Sequence, residues 1–295
     1  MHLSIHNWMK PEPLAKSCDR LVEFGYESLE IYCDPGLLSR ADSVRELLAN
    51  RAVRCWGGVM WPYAQTKLLT TNANERSAYI RYAIDCLNFV HRLKGQVLVV
   101  VPGFGREGPA ASPQEEWYWC VDALQEINAS ASRLGIRLAL EPLNRFETHF
   151  LNRLDQALLL ADAVGGDCGV CMDAFHANIE EPDPVGAIRL AGSKLADYHL
   201  ADSNRLAPGM GHYDWAEIID ALAAAGYKGG LPVEFVPFVD RTPLDPAFGS
   251  IDQGEHGQVH SDTAGGVVGE TRYRDLVRRS AETILPHLKK VSQPE

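Results

Sequence analysis

The sequence alternates eight times between a short apolar segment and a longer segment with helical spacing, and this repeat constrains the fold more than any other feature. Several of the short segments are almost continuously apolar, as strands covered on both faces tend to be. The predicted strands are LSIHNW (3–8), SLEIYC (28–33), VRCWGGV (53–59), QVLVVV (96–101), IRLALE (136–141), CGVCMD (168–173), KLADYHL (194–200) and LPVEF (231–235). The predicted helices lie near 12–24, 40–51, 74–93, 114–134, 153–164, 184–192, from 214 onward and at 271–289.

Eight consecutive strand–helix units predict an α/β fold in which a parallel sheet closes into a single (β/α)₈ TIM barrel. The chain has 295 residues, a length that such barrels commonly reach as one domain. No linker or change of composition divides the chain, so we expect one domain over residues 1–295. A doubly wound open sheet shows the same alternation, and periodicity alone does not separate the two folds.

One segment departs from the repeat. Residues 239–268 follow the eighth predicted strand and are rich in Gly, Asp, Pro and His. A loop of this length inside a compact domain is usually functional or disordered. The sequence leaves open whether it is a lid over the site, an interface or a disordered segment.

Composition restricts the class of partner. The formal net charge of −11 argues against nucleic acid and anionic membrane surfaces, because both attract basic patches. No leader-like segment opens the sequence, and no apolar run approaches the roughly 18–20 residues of a membrane helix. Seven cysteines without framework spacing fit a reduced, cytoplasmic compartment. Cys168 and Cys171 lie on a predicted strand, so they should be buried thiols facing opposite sides.

Metal-binding side chains follow one another at four consecutive strand ends. Glu141 ends the fifth predicted strand and Asp173 the sixth, while His199 and Glu234 lie near the ends of the seventh and eighth. In a barrel these strand ends meet at one rim, which carries the active site. Each residue alone could be a solvated or helix-capping group. Together, three carboxylates and an imidazole predict a divalent ion such as Mn²⁺, Mg²⁺ or Co²⁺.

Further polar residues follow the same strands. Glu147 lies in NRFE after Glu141, His176 lies in DAFHANIEE after Asp173, and Arg205 follows His199. Glutamate, histidine and arginine around a metal suit a substrate with many hydroxyl groups and one carbonyl.

Aromatic residues accompany the first four predicted strands. Trp8, Trp56, Trp61 and Phe104 lie near the expected strand ends. They could form an apolar wall against a sugar ring or simply pack the top of the barrel. Both interpretations stay open from the sequence.

Four motifs, in order, resemble the D-tagatose 3-epimerase family of the xylose-isomerase-like barrels. They are EPLNRFETHFLN, MDAFHANIEE, HLADSNRLAPGMGHYDW and VEFVPF, all within or close to residues 137–236. The resemblance implies that Glu141, Asp173, His199 and Glu234 bind Mn²⁺ or a similar ion. It also implies that Glu141 and Glu234 are the catalytic acid/base groups, and that Glu147, His176 and Arg205 hold the substrate.

The activity implied is ketose 3-epimerisation, in which the C3 proton is removed and returned through a cis-enediolate. The resemblance further implies a small-molecule sugar substrate and a homodimer or homotetramer. An alternative is a 3-keto-glycoside epimerase or the large subunit of a C-glycoside-cleaving enzyme, which would add a small partner subunit. An aldose–ketose isomerase and a non-catalytic sugar-binding barrel are further alternatives. The acidic charge argues against a DNA-repair endonuclease on a related barrel.

Overall fold

The computed structural model describes residues 1–63, 66–236 and 269–292. Its eight strands are β1 (His2–His6), β2 (Ser28–Tyr32), β3 (Arg54–Met60), β4 (Val97–Val100), β5 (Arg137–Leu140), β6 (Gly169–Asp173), β7 (Leu195–His199) and β8 (Gly230–Val233). All eight lie in one sheet, and each paired neighbour is parallel.

The sheet closes on itself between β7 and β8. Leu200 and Val233 form a parallel bridge, the Leu200 amide donates to Pro232 O over 2.7 Å, and the Glu234 amide donates to Leu200 O over 2.9 Å. An open sheet would leave both edge strands unpaired. The predicted TIM barrel is therefore confirmed, and the doubly wound alternative is wrong.

The described residues form ten α-helices and one 3₁₀ helix, Gly192–Lys194. The α-helices are α1 (Leu14–Phe24), α2 (Pro35–Leu38), α3 (Ala41–Ala49), α4 (Ala73–Arg92), α5 (Pro113–Leu134), α6 (Leu154–Val164), α7 (Ala174–Glu180), α8 (Pro184–Ala191), α9 (Trp215–Ala224) and α10 (Glu270–Ser292). Eight of them match the predicted helices. The sequence pattern missed α2 and α7, which are too short to show a helical repeat.

Capping residues set the helix bounds, as α5 shows. The Ser112 side chain accepts a hydrogen bond from the Glu115 amide, and the Glu115 carboxylate accepts one from the Ser112 amide. This reciprocal pair satisfies amides that the first turn cannot. Pro113 occupies the first turn, where a missing N–H costs nothing. Gly135 ends the helix at φ 68°, a left-handed conformation that glycine adopts without a steric penalty.

Side-chain alternation along the strands separates two packing layers. Val97 and Val99 of β4 pack inside the barrel with Trp56, whereas Leu98 and Val100 pack in the larger core beneath the helices. The interior cluster consists of apolar side chains and fills the barrel around Trp56. The carboxyl ends of the strands lie outside this cluster, so polar side chains can converge there.

All seven cysteines are buried and free of disulfides. Cys168 belongs to the core beneath the helices and Cys171 to the interior cluster, so the prediction that they face opposite sides is confirmed. Within the described part of the chain, no helix is both long and apolar enough to span a membrane. The predicted long loop at 239–268 lies outside the described residues.

Candidate functional site

Four consecutive strands deliver the four predicted metal ligands to one point. Asp173 and His199 end β6 and β7 and are register partners, while Glu141 and Glu234 directly follow β5 and β8. One ligand atom from each of these residues lies within 4.8 Å of the others, and all four residues are buried. The structure thus brings together the residues that the sequence singled out.

Several polar atoms at this point have no hydrogen-bond partner. They are Asp173 Oδ2, Glu234 Oε2 and His199 Nδ1. The His199 Nδ1 atom lies 3.0 Å from Glu234 Oε2 and 3.3 Å from Glu141 Oε1. An unsatisfied buried polar group costs about 1–3 kcal/mol, so three converging on one point imply a missing partner. A divalent cation fits this donor set of carboxylates and one imidazole.

Arg205 lies across the mouth of this site. Its Nη1 donates to Asp173 Oδ1 over 2.8 Å, and its Nη2 lies 3.1 Å from Glu234 Oε1. The guanidinium also stacks over the Phe175 ring at 4.9 Å. The backbone of Arg205 has φ 62°, a left-handed conformation that costs a non-glycine residue free energy. The fold maintains this conformation, which presents the guanidinium to two ligand carboxylates.

Asp202 organises the loop that carries Arg205, a role that no sequence motif indicated. Its Oδ2 accepts hydrogen bonds from the Gly209 amide over 2.7 Å and from Trp215 Nε1 over 3.1 Å. The Asp202 carbonyl also accepts a hydrogen bond from the Arg205 amide over 2.8 Å. A buried carboxylate with several donors fixes the loop.

The two proposed acid/base glutamates have opposite ionisation tendencies. Burial raises the pKa of Glu141 to about 7, and the Glu234 and Asp173 carboxylates add to the rise although His199 opposes it. Burial also disfavours the charge on Glu234, but Arg205 and His199 outweigh it and hold the pKa of this carboxyl at about 2. Two carboxyl groups whose pKa values are driven apart are what an acid/base pair requires.

Asn144 connects two predicted substrate-binding residues. Its side-chain amide donates to Glu147 Oε1 over 2.8 Å and lies 2.8 Å from His176 Nδ1, which also accepts from the Asn144 backbone amide. Because His176 Nδ1 faces two donors, the ring hydrogen resides on Nε2. Burial lowers the pKa of His176 to about 3, so this imidazole is neutral. Asn144 begins the NRFE stretch that follows Glu141, but the sequence analysis gave it no role of its own.

Aromatic side chains form a wall beside the site. Trp61 packs edge-on against Trp8 at 4.9 Å, lies 5.0 Å from Tyr32, and stacks on Phe104 at 6.3 Å with 7° between the ring planes. Phe104 is 53% exposed, so this part of the wall is open to a ligand.

Trp56 does not belong to the wall, and its expected place near a strand end was wrong. Strand β3 continues to Met60, which places Trp56 near the strand's start rather than at its carboxyl end. Its indole is buried and donates to Asp197 Oδ1 over 3.1 Å. Trp56 therefore packs inside the barrel, away from the mouth.

Three buried polar residues next to the ligands were also missed. Glu30 Oε2 lies 3.6 Å and Asp197 Oδ2 3.8 Å from His199 Nε2. The His6 ring packs edge-on against the His199 ring at 4.5 Å. Burial lowers the pKa of His6 well below its ordinary value, with His199 and Arg205 adding to the effect. Each of these residues lies within a strand rather than at its carboxyl end, or is the last residue of a strand that carries other polar residues, so none stood out in the sequence.

Comparisons with known proteins identify a barrel family and several similar epimerases. A sequence model of the xylose isomerase-like TIM barrel family matches residues 18–243. The chain is similar to D-psicose 3-epimerase from Enterocloster bolteae, with 40% identity over 117 residues, covering 39% of this chain and 38% of that protein. It is also similar to 3-dehydro-D-guloside 4-epimerase from Escherichia coli, with 32% identity over 109 residues, covering 37% of this chain and 42% of that protein. These alignments thus span about two fifths of the curated relatives.

The fold is also that of a solved epimerase. The crystal structure of D-psicose 3-epimerase with D-tagatose from Clostridium cellulolyticum H10 superimposes with a TM-score of 0.82 and 22% identity, covering 98% of this chain and 99% of that chain. The resemblance that the sequence motifs predicted is confirmed by these relatives. Since the family match extends over most of its length, the chain belongs to the xylose isomerase-like TIM barrel family.

Proposed function

We propose that the protein is a divalent-metal-dependent ketose 3-epimerase. The observation that carries the proposal is the meeting of Glu141, Asp173, His199 and Glu234 at one buried point. The carboxylate-rich donor set suits Mn²⁺, with Mg²⁺ or Co²⁺ as alternatives. When bound there, such an ion would polarise the C2 carbonyl of a ketose and stabilise the charge of the cis-enediolate.

Glu141 and Glu234 would move the proton at C3. Both are buried carboxyl groups at the same point, so one can take the C3 proton while the other returns one. They follow β5 and β8, which are separated by β6 and β7 around the barrel. A sugar between them would present one face to each glutamate. Removal by one and return by the other inverts C3 without the intermediate turning over.

The surrounding residues would hold the sugar. Arg205 and the Nε2–H of His176 are hydrogen-bond donors for the oxygens near the reacting carbon, and the Glu147 carboxylate is an acceptor for a hydroxyl group. Within the described residues, His176 Nε2 has no hydrogen-bond acceptor of its own. Trp8 and Phe104 would cover the apolar face of the ring together with Trp61.

The relatives favour a free ketose over a glycoside. The D-psicose 3-epimerase relative is 40% identical, whereas the 3-dehydro-D-guloside 4-epimerase relative is 32% identical. The second relative makes epimerisation of a 3-keto glycoside the second candidate. Both reactions need a proton moved next to a carbonyl, so the site geometry serves either one.

Deuterium exchange tests the proposal. The Mn²⁺-loaded protein is incubated in D₂O with a panel of free ketoses and, in parallel, with a 3-keto glycoside, and the products are followed by NMR. The expected result is deuterium at C3 of a ketose together with its C3 epimer. Reaction of the keto glycoside alone would favour the second candidate, and no exchange with either class would refute both.

A further inference from the structure

Two fully buried carboxylates pack against the ligand histidine, and the proposed chemistry does not use them. They are Glu30, an inward residue of β2, and Asp197, an inward residue of β7. Burying a carboxylate is costly unless it is paired. Both lie on the side of His199 opposite Glu141 and Glu234, because they approach Nε2 whereas the proposed ligands approach Nδ1.

Two N–H donors hold Asp197. Its Oδ1 accepts from the Tyr198 amide over 2.8 Å and from Trp56 Nε1 over 3.1 Å. The Tyr227 hydroxyl lies 3.2 Å from the same oxygen, and its hydrogen is shared with Gly230 O, which is nearer at 2.5 Å. Its Oδ2 has no hydrogen-bond partner and lies 3.8 Å from His199 Nε2. Oδ1 therefore fixes the Asp197 carboxyl group in the barrel interior, and Oδ2 lies beside His199.

Glu30 has no anchor of this kind. Neither of its carboxylate oxygens has a hydrogen-bond partner, and Oε2 lies 3.6 Å from His199 Nε2. This distance exceeds the usual hydrogen-bond range of about 2.7–3.2 Å, so a shift of roughly half an ångström would form the bond. His199 Nε2 likewise lacks a partner.

The chemistry of imidazole connects these orphaned atoms. A neutral imidazole offers a lone pair on one ring nitrogen only when the other nitrogen carries the hydrogen. Ligation through His199 Nδ1 therefore needs a hydrogen on Nε2 and an acceptor to receive it. Among the described residues, the carboxyl oxygens of Glu30 and Asp197 are the acidic side-chain atoms within 4.0 Å of that nitrogen.

We propose that Glu30 and Asp197 are positioning residues that accept the Nε2–H of His199 and so aim its Nδ1 at the cation. Glu30 makes the contact, and Asp197 connects the same nitrogen to Trp56 and Tyr227 deeper in the barrel. A carboxylate behind a ligating histidine fixes the ring orientation and raises its basicity. The inference rests on the proposed metal site but not on the identity of the sugar.

Mn²⁺ binding to two Glu30 variants tests the role, with free Mn²⁺ measured by electron paramagnetic resonance. Glu30→Met removes the acceptor and is expected to weaken Mn²⁺ binding by about 10–100-fold. Glu30→Gln keeps a carbonyl oxygen and should recover part of the affinity. The matched control is Glu116→Gln, because Glu116 is a buried carboxylate that pairs with His149 instead. Its Mn²⁺ affinity should equal that of the wild type.

A second measurement separates positioning from a merely structural role. In the Mg²⁺-loaded protein, the ¹H–¹⁵N signal of His199 Nε2–H should lie far downfield and exchange slowly, and Glu30→Gln should move it upfield. Wild-type Mn²⁺ affinity in Glu30→Met, or an Nε2–H signal that Glu30→Gln leaves in place, would overturn the proposal. If Glu30→Met fails to fold, the Nε2–H signal and the Mn²⁺ affinity of Glu30→Gln test the proposal instead. Neither readout uses turnover, so a protein that binds Mn²⁺ but lacks epimerase activity would refute the proposed function alone.

Discussion

Arg205 and Asp173 form a hydrogen bond of 2.8 Å that places a fixed positive charge beside the proposed cation site. The second guanidinium nitrogen lies 3.1 Å from Glu234, so Arg205 neutralises two of the three ligand carboxylates. This arrangement predicts opposite effects on cation binding and on catalysis when the arginine is removed.

We expect Arg205→Met to bind Mn²⁺ more tightly than the wild type, because a like charge next to the ion is lost. The same variant should lose about 10–100-fold in kcat/KM, since a hydrogen bond to a charged group contributes about 1.5–3 kcal/mol. Titration calorimetry and steady-state kinetics measure the two effects. Arg145→Met is the control, because Arg145 pairs with Glu180 and its side chain is 61% exposed. Weaker Mn²⁺ binding in Arg205→Met would contradict the prediction.

Glu141→Gln and Glu234→Gln should each abolish detectable C3 exchange. Each substitution removes a proton-transfer group, a loss of about 10²–10⁴-fold, and also weakens the cation site. Circular dichroism should show a native fold in both variants, because the apolar clusters of the barrel do not depend on these side chains. Wild-type exchange rates in either variant would end the two-glutamate mechanism.

Chelation should remove activity without unfolding the chain. The core clusters are formed by apolar side chains that do not involve the four proposed ligands. Returning Mn²⁺ at about one hundred times its Kd should restore activity and stabilise the fold by about 2.7 kcal/mol, which appears as a higher Tm. A chelated protein that has lost its far-ultraviolet circular dichroism would show that the cation is needed for folding.

The native protein should be inert to thiol reagents at about pH 8, where a free cysteine reacts readily. All seven cysteines are buried, and burial raises the pKa of both Cys18 and Cys168 to about 12. Few thiolates exist below such a pKa, so 5,5′-dithiobis(2-nitrobenzoate) should release little colour before unfolding. In guanidinium chloride all seven thiols should react. Rapid labelling of the folded protein would contradict the burial of these side chains.

The sequence predicted the strands well because their signal is local. Several of the parallel strands are covered on both faces and appear as short apolar runs, and each predicted strand coincides with an observed one. The proposed ligands were also visible, because strand ends in a barrel share one rim. Helix α7 was not predicted because it follows β6 with no intervening loop, and Asp173 both ends the strand and caps the helix.

Glu30 and Asp197 could not be predicted in the same way. Each is one polar residue inside a strand, and such a residue usually indicates a solvated face. Their relationship depends on closure of the barrel, which leaves only β1 and β8 between β2 and β7, although β2 and β7 are far apart in the sequence. The predicted position of Trp56 was wrong for a related reason, because its depth in the barrel depends on where β3 ends.

Asp173 gives the site a property that its separate parts do not have. One of its oxygens accepts hydrogen bonds from the His176 amide over 2.9 Å and from Arg205, and the other is free for the cation. The Asp173 carboxylate therefore contacts two of the residues proposed to bind the sugar, His176 and Arg205, and also offers an oxygen to the ion. A displacement of β6 would therefore disturb the cation site and the hydrogen bonds to both of these groups at the same time. Replacing Asp173 should accordingly lower metal affinity and substrate affinity together.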